Sequence, residues 1–233
     1  MRRELHGIAI VAAAGAALGL AGATGADGAA MDPNAEANAF FERAMQERIA
    51  ESPILATSLG LKTGQDRWDD VSEDGDRRRN ELSLRHLAEL RRIDPASLDD
   101  ATRLSWKVFE SNEERRIARY RWRNHGYLFD KNGSQSSLPA FLINAHLVDS
   151  EDDAVAYIRR LEGIRPLFAQ QFERANAAPK QGTPPPRLVY AYVIEDAGNI
   201  LKGKPFDAGP DDSPLLADFR GKVARLAIDD ARK

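Results

Sequence analysis

The first candidates for chemistry in this chain are its four histidines, which are His6, His86, His125 and His146. A zinc site built on one helix needs two imidazoles four positions apart, so that both face the same way. No two of these histidines have that spacing. We therefore expect the last three to be surface or helix-capping residues, with His146 and Asp149 as an alternative pair that would orient a metal ligand. The sequence predicts no catalytic residue, no cofactor-binding residue and no metal ligand in this chain.

Adjacent carboxylates are a second candidate, because acid–base catalysis often uses two of them. Examples in this chain are Glu113-Glu114, Asp152-Asp153 and Asp211-Asp212. Neighbouring residues on a helix do not face one another, so such a pair does not converge on one substrate atom. We expect these residues to be helix caps and surface charges.

Basic and aromatic residues are interleaved over residues 115–123, which read Arg-Arg-Ile-Ala-Arg-Tyr-Arg-Trp-Arg. Such interleaving occurs in nucleic-acid-binding segments. The net charge of −3 and the N-terminal export pattern argue against a nucleic-acid partner. On a helix, Arg115, Arg119 and Arg123 form one solvated stripe, and we favour that interpretation.

The N-terminus has the pattern of a signal peptide over residues 1–30. Arg2 and Arg3 form a positive start, an apolar stretch follows over residues 7–23, and Ala21-Gly22-Ala23 is a cleavage motif of small residues. That stretch is shorter than the roughly 20 residues that span a bilayer as a helix, so we predict no stable membrane anchor. Both ordinary secretion and the twin-arginine route fit this start. The protein is expected to be periplasmic or secreted.

The 233 residues include no cysteine, which excludes disulfides, thiolate metal sites and a lipid-modified cysteine. With 42% hydrophobic and 30% charged residues, the chain falls in the range of globular proteins. Neither a phosphate-binding glycine loop nor a GxSxG nucleophile motif occurs. Stability must therefore come from packing alone.

The chain beyond the export segment is expected to be all-α, an irregular multi-helix array. Apolar residues recur at helical spacing, and no apolar–polar alternation is long enough to indicate a sheet. Capping residues, glycines and prolines predict seven helices. Five of them cover residues 34–50, 53–59, 99–123, 151–176 and 187–201. Another follows a charged segment and ends at residue 93, and the last runs from residue 212 to the terminus. The proline-rich connector at 180–186 is the best candidate hinge.

Three segments carry more specific expectations, namely two of the predicted helices and one predicted loop. In the helix at 99–123, the residues expected to be buried are Leu104, Val108, Ile117 and Tyr120, while Glu113 is expected to be solvated. Residues 124–137 are the most loop-like stretch. Ser150 and the carboxylates after it form a capping box before the strongest helical pattern, 151–176.

Three short motifs follow one another along the chain. Residues 51–60 read Glu-Ser-Pro-Ile-Leu-Ala-Thr-Ser-Leu-Gly, residues 150–161 open a helix with Tyr157 and Arg160-Leu161, and residues 182–189 end in Pro-Arg-Leu-Val. In this order they resemble the bacterial domain-of-unknown-function 885 (DUF885) family. The resemblance covers residues 34–233.

Members of that family are typically more than twice as long as this chain and are grouped with zinc metallopeptidases. Their C-terminal half carries a His-Glu-x-x-Pro-Gly-His helix, in which two histidines would bind zinc and the glutamate would act as general base. This sequence contains no such segment. The resemblance therefore transfers no catalytic residue onto this chain, and zinc is expected only in a full-length parent.

The resemblance implies that residues 31–233 are a helical domain, the N-terminal part of an exported zinc-dependent peptidase or hydrolase. Such a segment would be truncated and inactive alone, because its partner, the C-terminal catalytic half, is missing. The full-length protein would take a peptide substrate, and the isolated segment would expose apolar helix faces. The alternative is a self-sufficient periplasmic helical binding or scaffold protein without catalysis.

Overall fold

The computed structural model describes residues 32–130, 132–177 and 186–228. Within these ranges the chain forms helices and a single isolated β-bridge, between Lys204 and Asp212, but no strand. The α-helices are α1 (Pro33–Glu51), α2 (Pro53–Ser58), α3 (Glu73–Leu90), α4 (Asp100–Tyr120), α5 (Ser134–Ala145), α6 (Glu151–Glu162), α7 (Ile164–Ala177), α8 (Arg187–Ile200) and α9 (Pro214–Val223), with a 3-10 turn at Pro95–Ser97. The all-α prediction is confirmed. The predicted signal peptide, and the predicted hinge apart from its last residue, lie outside the described residues.

Short polar side chains fix where several helices begin. The hydroxyl of Ser52 accepts a hydrogen bond from the backbone N–H of Leu55 at 3.1 Å, at the start of α2. Asp99 does the same for α4 with Thr102 at 2.7 Å. Each cap satisfies an N–H that has no carbonyl partner in the first helical turn. These caps were readable from the sequence, and the predicted starts of α2 and α4 agree with the structure to within one residue.

One apolar cluster holds α1, α3 and α4 together. Its buried members are Ala37, Phe40, Ala44, Leu90, Ile93, Leu98 and Trp106. The indole N–H of Trp106 donates to the carbonyl of Leu90 at 3.1 Å, so the only polar atom of this large side chain is satisfied inside the cluster. A second cluster joins α5, α6 and α9 through Leu142, Val148, Ala154, Tyr157, Val223 and Leu226.

The buried face of α4 differs from the predicted one. Leu104 and Val108 are 63% and 51% exposed, whereas Trp106 is buried between them. Residues two positions apart on an α-helix point about 200° apart, so burying Trp106 turns both aliphatic residues to solvent. Trp106 sets the phase of the helix because it has the largest apolar side chain to bury. Ile117 and Tyr120 are half-buried.

The predicted helix over residues 151–176 is two helices, α6 and α7, which meet at Gly163. The indole N–H of Trp68 donates to the carbonyl of Arg160 at 2.7 Å. That carbonyl would otherwise accept from the N–H of residue 164 in a continuous helix. A side chain that inserts in this way is a recognised cause of a helix break.

Two further boundaries differ from the sequence prediction. The segment at 124–137 is not entirely loop, because α5 begins at Ser134. The last helix ends at Val223 and does not run on to the terminus, since turns follow it as far as residue 228. Among the described residues, no helix combines the length and the apolar character needed to cross a membrane.

Candidate functional site

An apolar cleft of about 730 Å³ lies beside α7 and α8. Three phenylalanines form one wall, with the rings of Phe129 and Phe168 stacked at a centroid distance of 6.1 Å and those of Phe129 and Phe172 at 5.1 Å. The opposite wall comes from α8, through Tyr190 and Ile194. The volume and the aromatic lining are typical of a cleft that takes a small apolar ligand or an apolar side chain of a partner.

Helix α8 is unusual because none of its residues is buried. It packs on α5, yet Leu188 and Ile194 are 70% and 71% exposed, and Tyr190 and Tyr192 are nearly half exposed. A helix with this apolar content normally buries a stripe of side chains against its own domain. Residues two positions apart on a helix point about 200° apart, so Tyr190 and Ile194 share the side of α8 that lines the cleft, while Leu188 and Tyr192 lie on another side. Helix α8 therefore exposes apolar side chains on more than one side within the described part of the chain.

Gln135 gives the cleft a polar feature. Its side chain lines the cleft and is buried, and its amide nitrogen donates to the carbonyl of Asp130 at 2.6 Å. Its amide oxygen is buried and has no hydrogen-bond partner among the described residues. An unsatisfied acceptor in an apolar wall favours a ligand or partner that brings an N–H or O–H donor.

His146 lies in a buried polar cluster and not at the surface, which corrects the sequence expectation. A guanidinium nitrogen of Arg160 lies 3.2 Å from its Nδ1, and the carbonyl of Asp153 lies 3.3 Å from its Nε2. The predicted pair with Asp149 is not formed, since the Asp149 carboxylate binds Lys62 at 3.1 Å. Burial, together with the charges of Arg160 and the nearby Lys222, lowers the pKa of His146 to about 4.

Arg160 is the centre of this cluster and is completely buried. Its guanidinium donates to the carbonyl of Arg67 at 2.9 Å and to the hydroxyl of Thr57 at 3.1 Å. It also lies 5.1 Å from the ring centroids of both Trp68 and Phe141. Burial lowers the pKa of Arg160 to about 10, so the group remains charged at neutral pH.

The cluster continues to α9 through Tyr157, whose hydroxyl donates to Asp218 at 3.0 Å. Burial, followed by the charge of Asp218, raises the pKa of Tyr157. Lys222 bonds the same carboxylate at 2.8 Å and the carbonyl of Leu142 at 2.7 Å. Every one of these groups is occupied by a structural partner, so the cluster ties helices together and offers no reactive group to a substrate.

The other two histidines of the described residues, His86 and His125, belong to no metal site there, and His6 lies outside those residues. His86 is buried, with Glu47 3.1 Å from its Nε2, which corrects the expectation that it lies at the surface or caps a helix. His125 is exposed as predicted and lies edge-on to Trp122, with ring centroids 4.8 Å apart. In the described ranges no three residues of the types His, Asp and Glu come together to hold a metal ion. The donors present there therefore do not fit zinc.

The acidic pairs also have structural roles. Glu113 is buried against Arg48, which corrects the expectation that it is solvated. The hydroxyl of Ser150 caps α6 by accepting from the backbone N–H of Asp153 at 3.2 Å, and the Asp153 carboxylate binds Lys62 at 2.8 Å. No local sequence pattern indicates the Arg48–Glu113 contact, because 65 positions separate the two residues.

Comparison with known proteins agrees with the resemblance seen in the sequence. Residues 53–233 match the family described as "Bacterial protein of unknown function (DUF885)". No curated protein matches the chain. A solved structure, described as the crystal structure of the "putative lipoprotein" from Colwellia psychrerythraea, is similar in fold with a TM-score of 0.70 and 17% sequence identity. The similarity covers 87% of this chain but 37% of that protein, so the chain spans well under half of its length.

Proposed function

Because this chain belongs to the DUF885 family of bacterial proteins, we propose that it is the N-terminal helical scaffold of an exported, zinc-dependent peptidase or hydrolase. In this proposal the segment forms one wall of a substrate cleft and is inactive without the catalytic half. The zinc ligands and the general base belong to that half, since the described residues here do not form a metal site. The segment itself supplies shape and an apolar contact surface.

The observation that carries the proposal is the exposed apolar face of α8 beside the cleft. On the side of α8 that lines the cleft, Tyr190 and Ile194 are 45% and 71% exposed, and the aromatic wall belongs to the same cleft. A surface of this kind is expected where a further part of the same protein packs. The limited coverage of the similar solved structure supports the same conclusion.

The first prediction concerns this face in the 233-residue chain. We expect the chain to bind a dye for apolar surfaces, such as anilinonaphthalene sulfonate, and to self-associate in size-exclusion chromatography. Ile194→Glu should reduce both, because a charge interrupts the face. Leu104→Glu is the matched control, since Leu104 is similarly exposed but lies on α4, and it should change neither. A strictly monomeric chain that binds no dye would contradict the proposal.

A second measurement tests the catalytic part of the proposal. Zinc content and peptidase activity are compared between the 233-residue chain and a form extended through the coding sequence downstream of Lys233. Metal and activity that occur in the extended form alone support the scaffold role. Stoichiometric zinc in the 233-residue chain would count against it.

The unsatisfied acceptor of Gln135 favours a second candidate function. In this alternative the chain is a self-sufficient binding protein, and the cleft takes a small apolar molecule that donates a hydrogen bond to Gln135. Saturable binding of one dye molecule to a monodisperse chain would favour this alternative over the scaffold. Gln135→Leu should then weaken binding of a donor-bearing ligand more than binding of a pure hydrocarbon.

A further inference from the structure

A second cavity, of about 480 Å³, lies between α1, α3 and α4 and shares no residue with the apolar cleft. Its charged lining consists of Arg48, Asp76, Arg79, Arg116, Arg119 and Arg123. The three arginines from the region of α4 belong to the basic stretch noted in the sequence. Two residues of the expected solvated stripe, Arg119 and Arg123, therefore line a concave arginine-rich pocket together with Arg116, whereas Arg115 is exposed and does not line it.

The pocket has an excess of positive charge. Among its lining residues and their ion-pair partners, six guanidinium groups stand against three carboxylates, so the excess is three charges. Asp76 binds both Arg79 at 2.7 Å and Arg174 at 2.9 Å. Glu113 is buried against Arg48 and lies 3.8 Å from Arg116, and Glu73 accepts from Arg123 at 2.7 Å. These carboxylates hold the arginines in place without neutralising them.

The guanidinium of Arg119 makes no hydrogen bond or ion pair with any described residue, although its backbone carbonyl accepts from Trp122 and its neighbours in the pocket are anchored. Arg48 is the opposite case, since it is largely buried and also contacts the hydroxyl of Ser83 at 3.5 Å. Burial lowers the pKa of Arg48, because desolvation makes its charged form less favourable there than in water. Tyr120 adds a phenol to the wall, beneath the guanidinium of Arg123 at 4.2 Å from its ring centroid.

We propose that this pocket binds the phosphate group of a small phosphorylated molecule. Guanidinium groups bind phosphate through paired charge-assisted hydrogen bonds, and several of them converging on one cavity favour a dianion over a single carboxylate. The volume admits an organic group attached to the phosphate. The concave shape and the net charge of −3 on the whole chain distinguish this pocket from a nucleic-acid surface.

Isothermal titration of the 233-residue chain with inorganic phosphate tests the proposal, with acetate at matched ionic strength as the comparison. We expect saturable phosphate binding that acetate does not reproduce. Arg119→Ala should weaken it about tenfold, because it removes one charge-assisted contact. Arg119→Lys should weaken it less, since the charge remains. Arg92→Ala is the matched control: Arg92 is exposed, lies outside the pocket and should leave the affinity unchanged.

A second arm of the experiment shows whether the phosphate group comes from a lipid headgroup, and two outcomes would overturn the proposal. Vesicles of phosphatidylcholine with and without phosphatidic acid form the second arm. Binding to phosphatidic acid that is lost in Arg119→Ala would identify a lipid headgroup as the source of the phosphate. Absence of saturable binding in both arms, or an equal loss in Arg92→Ala and Arg119→Ala, would overturn the proposal. Thermal unfolding of each variant shows whether its fold is retained.

Discussion

Arg160 illustrates how a charged residue becomes part of a protein interior. Its guanidinium is surrounded by two carbonyls, a hydroxyl, an imidazole nitrogen and two aromatic rings, and no carboxylate among the described residues lies within ion-pair distance. A buried guanidinium is tolerated only when hydrogen bonds replace its lost hydration. The side chain therefore acts as a polar centre for several segments at once.

The second prediction follows from that environment. Arg160→Ala should lower the free energy of unfolding by about 3 kcal/mol or more, because it leaves a cavity and removes the donors of several buried acceptors. Urea unfolding monitored by circular dichroism measures the change. Arg159→Ala is the control, since Arg159 is exposed, and it should change stability by about 0.5 kcal/mol or less. Equal effects of the two substitutions would show that Arg160 is not a centre of stability.

His146 provides a third prediction, on pH dependence. Its pKa is about 4 in the folded chain and about 6.5 in an unfolded one, so between these values the unfolded chain binds more protons. The contribution of this residue is fully present above pH 6.5 and is lost as the pH falls towards 4. Protonation of this residue is expected to lower the free energy of unfolding by about 3 kcal/mol between pH 6.5 and 4.

The test compares the free energy of unfolding of the chain and of His146→Gln at several pH values. The substitution should flatten the decline between pH 6.5 and 4. His125→Gln should leave the slope unchanged, because His125 is exposed. If His146→Gln has the same slope as the original chain, another group causes the acid sensitivity.

Burial of individual polar residues was the part that the sequence did not predict. His146 and Glu113 both looked like surface residues, since nothing near them in the sequence indicates a partner. Their partners, Arg160 and Arg48, lie 14 and 65 positions away. Contacts over such separations depend on how helices pack, and that packing is not visible in local spacing.

At the scale of elements, the sequence predicts a helix boundary correctly where the residue that sets the boundary is close to it in the chain. The caps of α2, α4 and α6 lie within three residues of the N–H groups they accept from, and their helices begin where the sequence predicted. The break between α6 and α7 was missed because its cause, Trp68, lies 92 positions from Arg160. The buried face of α4 differs from the prediction because Trp106, and not Leu104 and Val108, faces the core.

A fourth prediction tests the cap of α6. Ser150→Ala should lower the free energy of unfolding by about 1 kcal/mol, since the N–H of Asp153 loses its acceptor at the helix start. Ser105→Ala is the control, because the hydroxyl of Ser105 bonds only within α4 on an exposed face, to the carbonyl of Ala101. It should be neutral or slightly stabilising. A null result for Ser150→Ala would mean that water replaces the hydroxyl without loss.

At the scale of the whole molecule, the described residues form two apolar clusters, to which helices α2 and α8 contribute no member. The cluster of α1, α3 and α4 and the cluster of α5, α6 and α9 share no residue. Helix α8 contributes to neither, although its sequence is among the more apolar in the chain. The all-α class was predictable from helical spacing, whereas the exposure of α8 was not, because an apolar stripe does not reveal what it packs against.

The buried guanidinium of Arg160 also constrains the order in which the chain can fold. Its hydrogen-bond acceptors come from residues 53–67 and from His146, so they are separated from it by up to 107 positions. A folding intermediate with α6 docked but residues 53–67 still unplaced would leave the guanidinium without the acceptors on Pro53, Thr57 and Arg67. Such a state loses hydrogen bonds to a buried charge, so we expect α2 and α6 to assemble cooperatively.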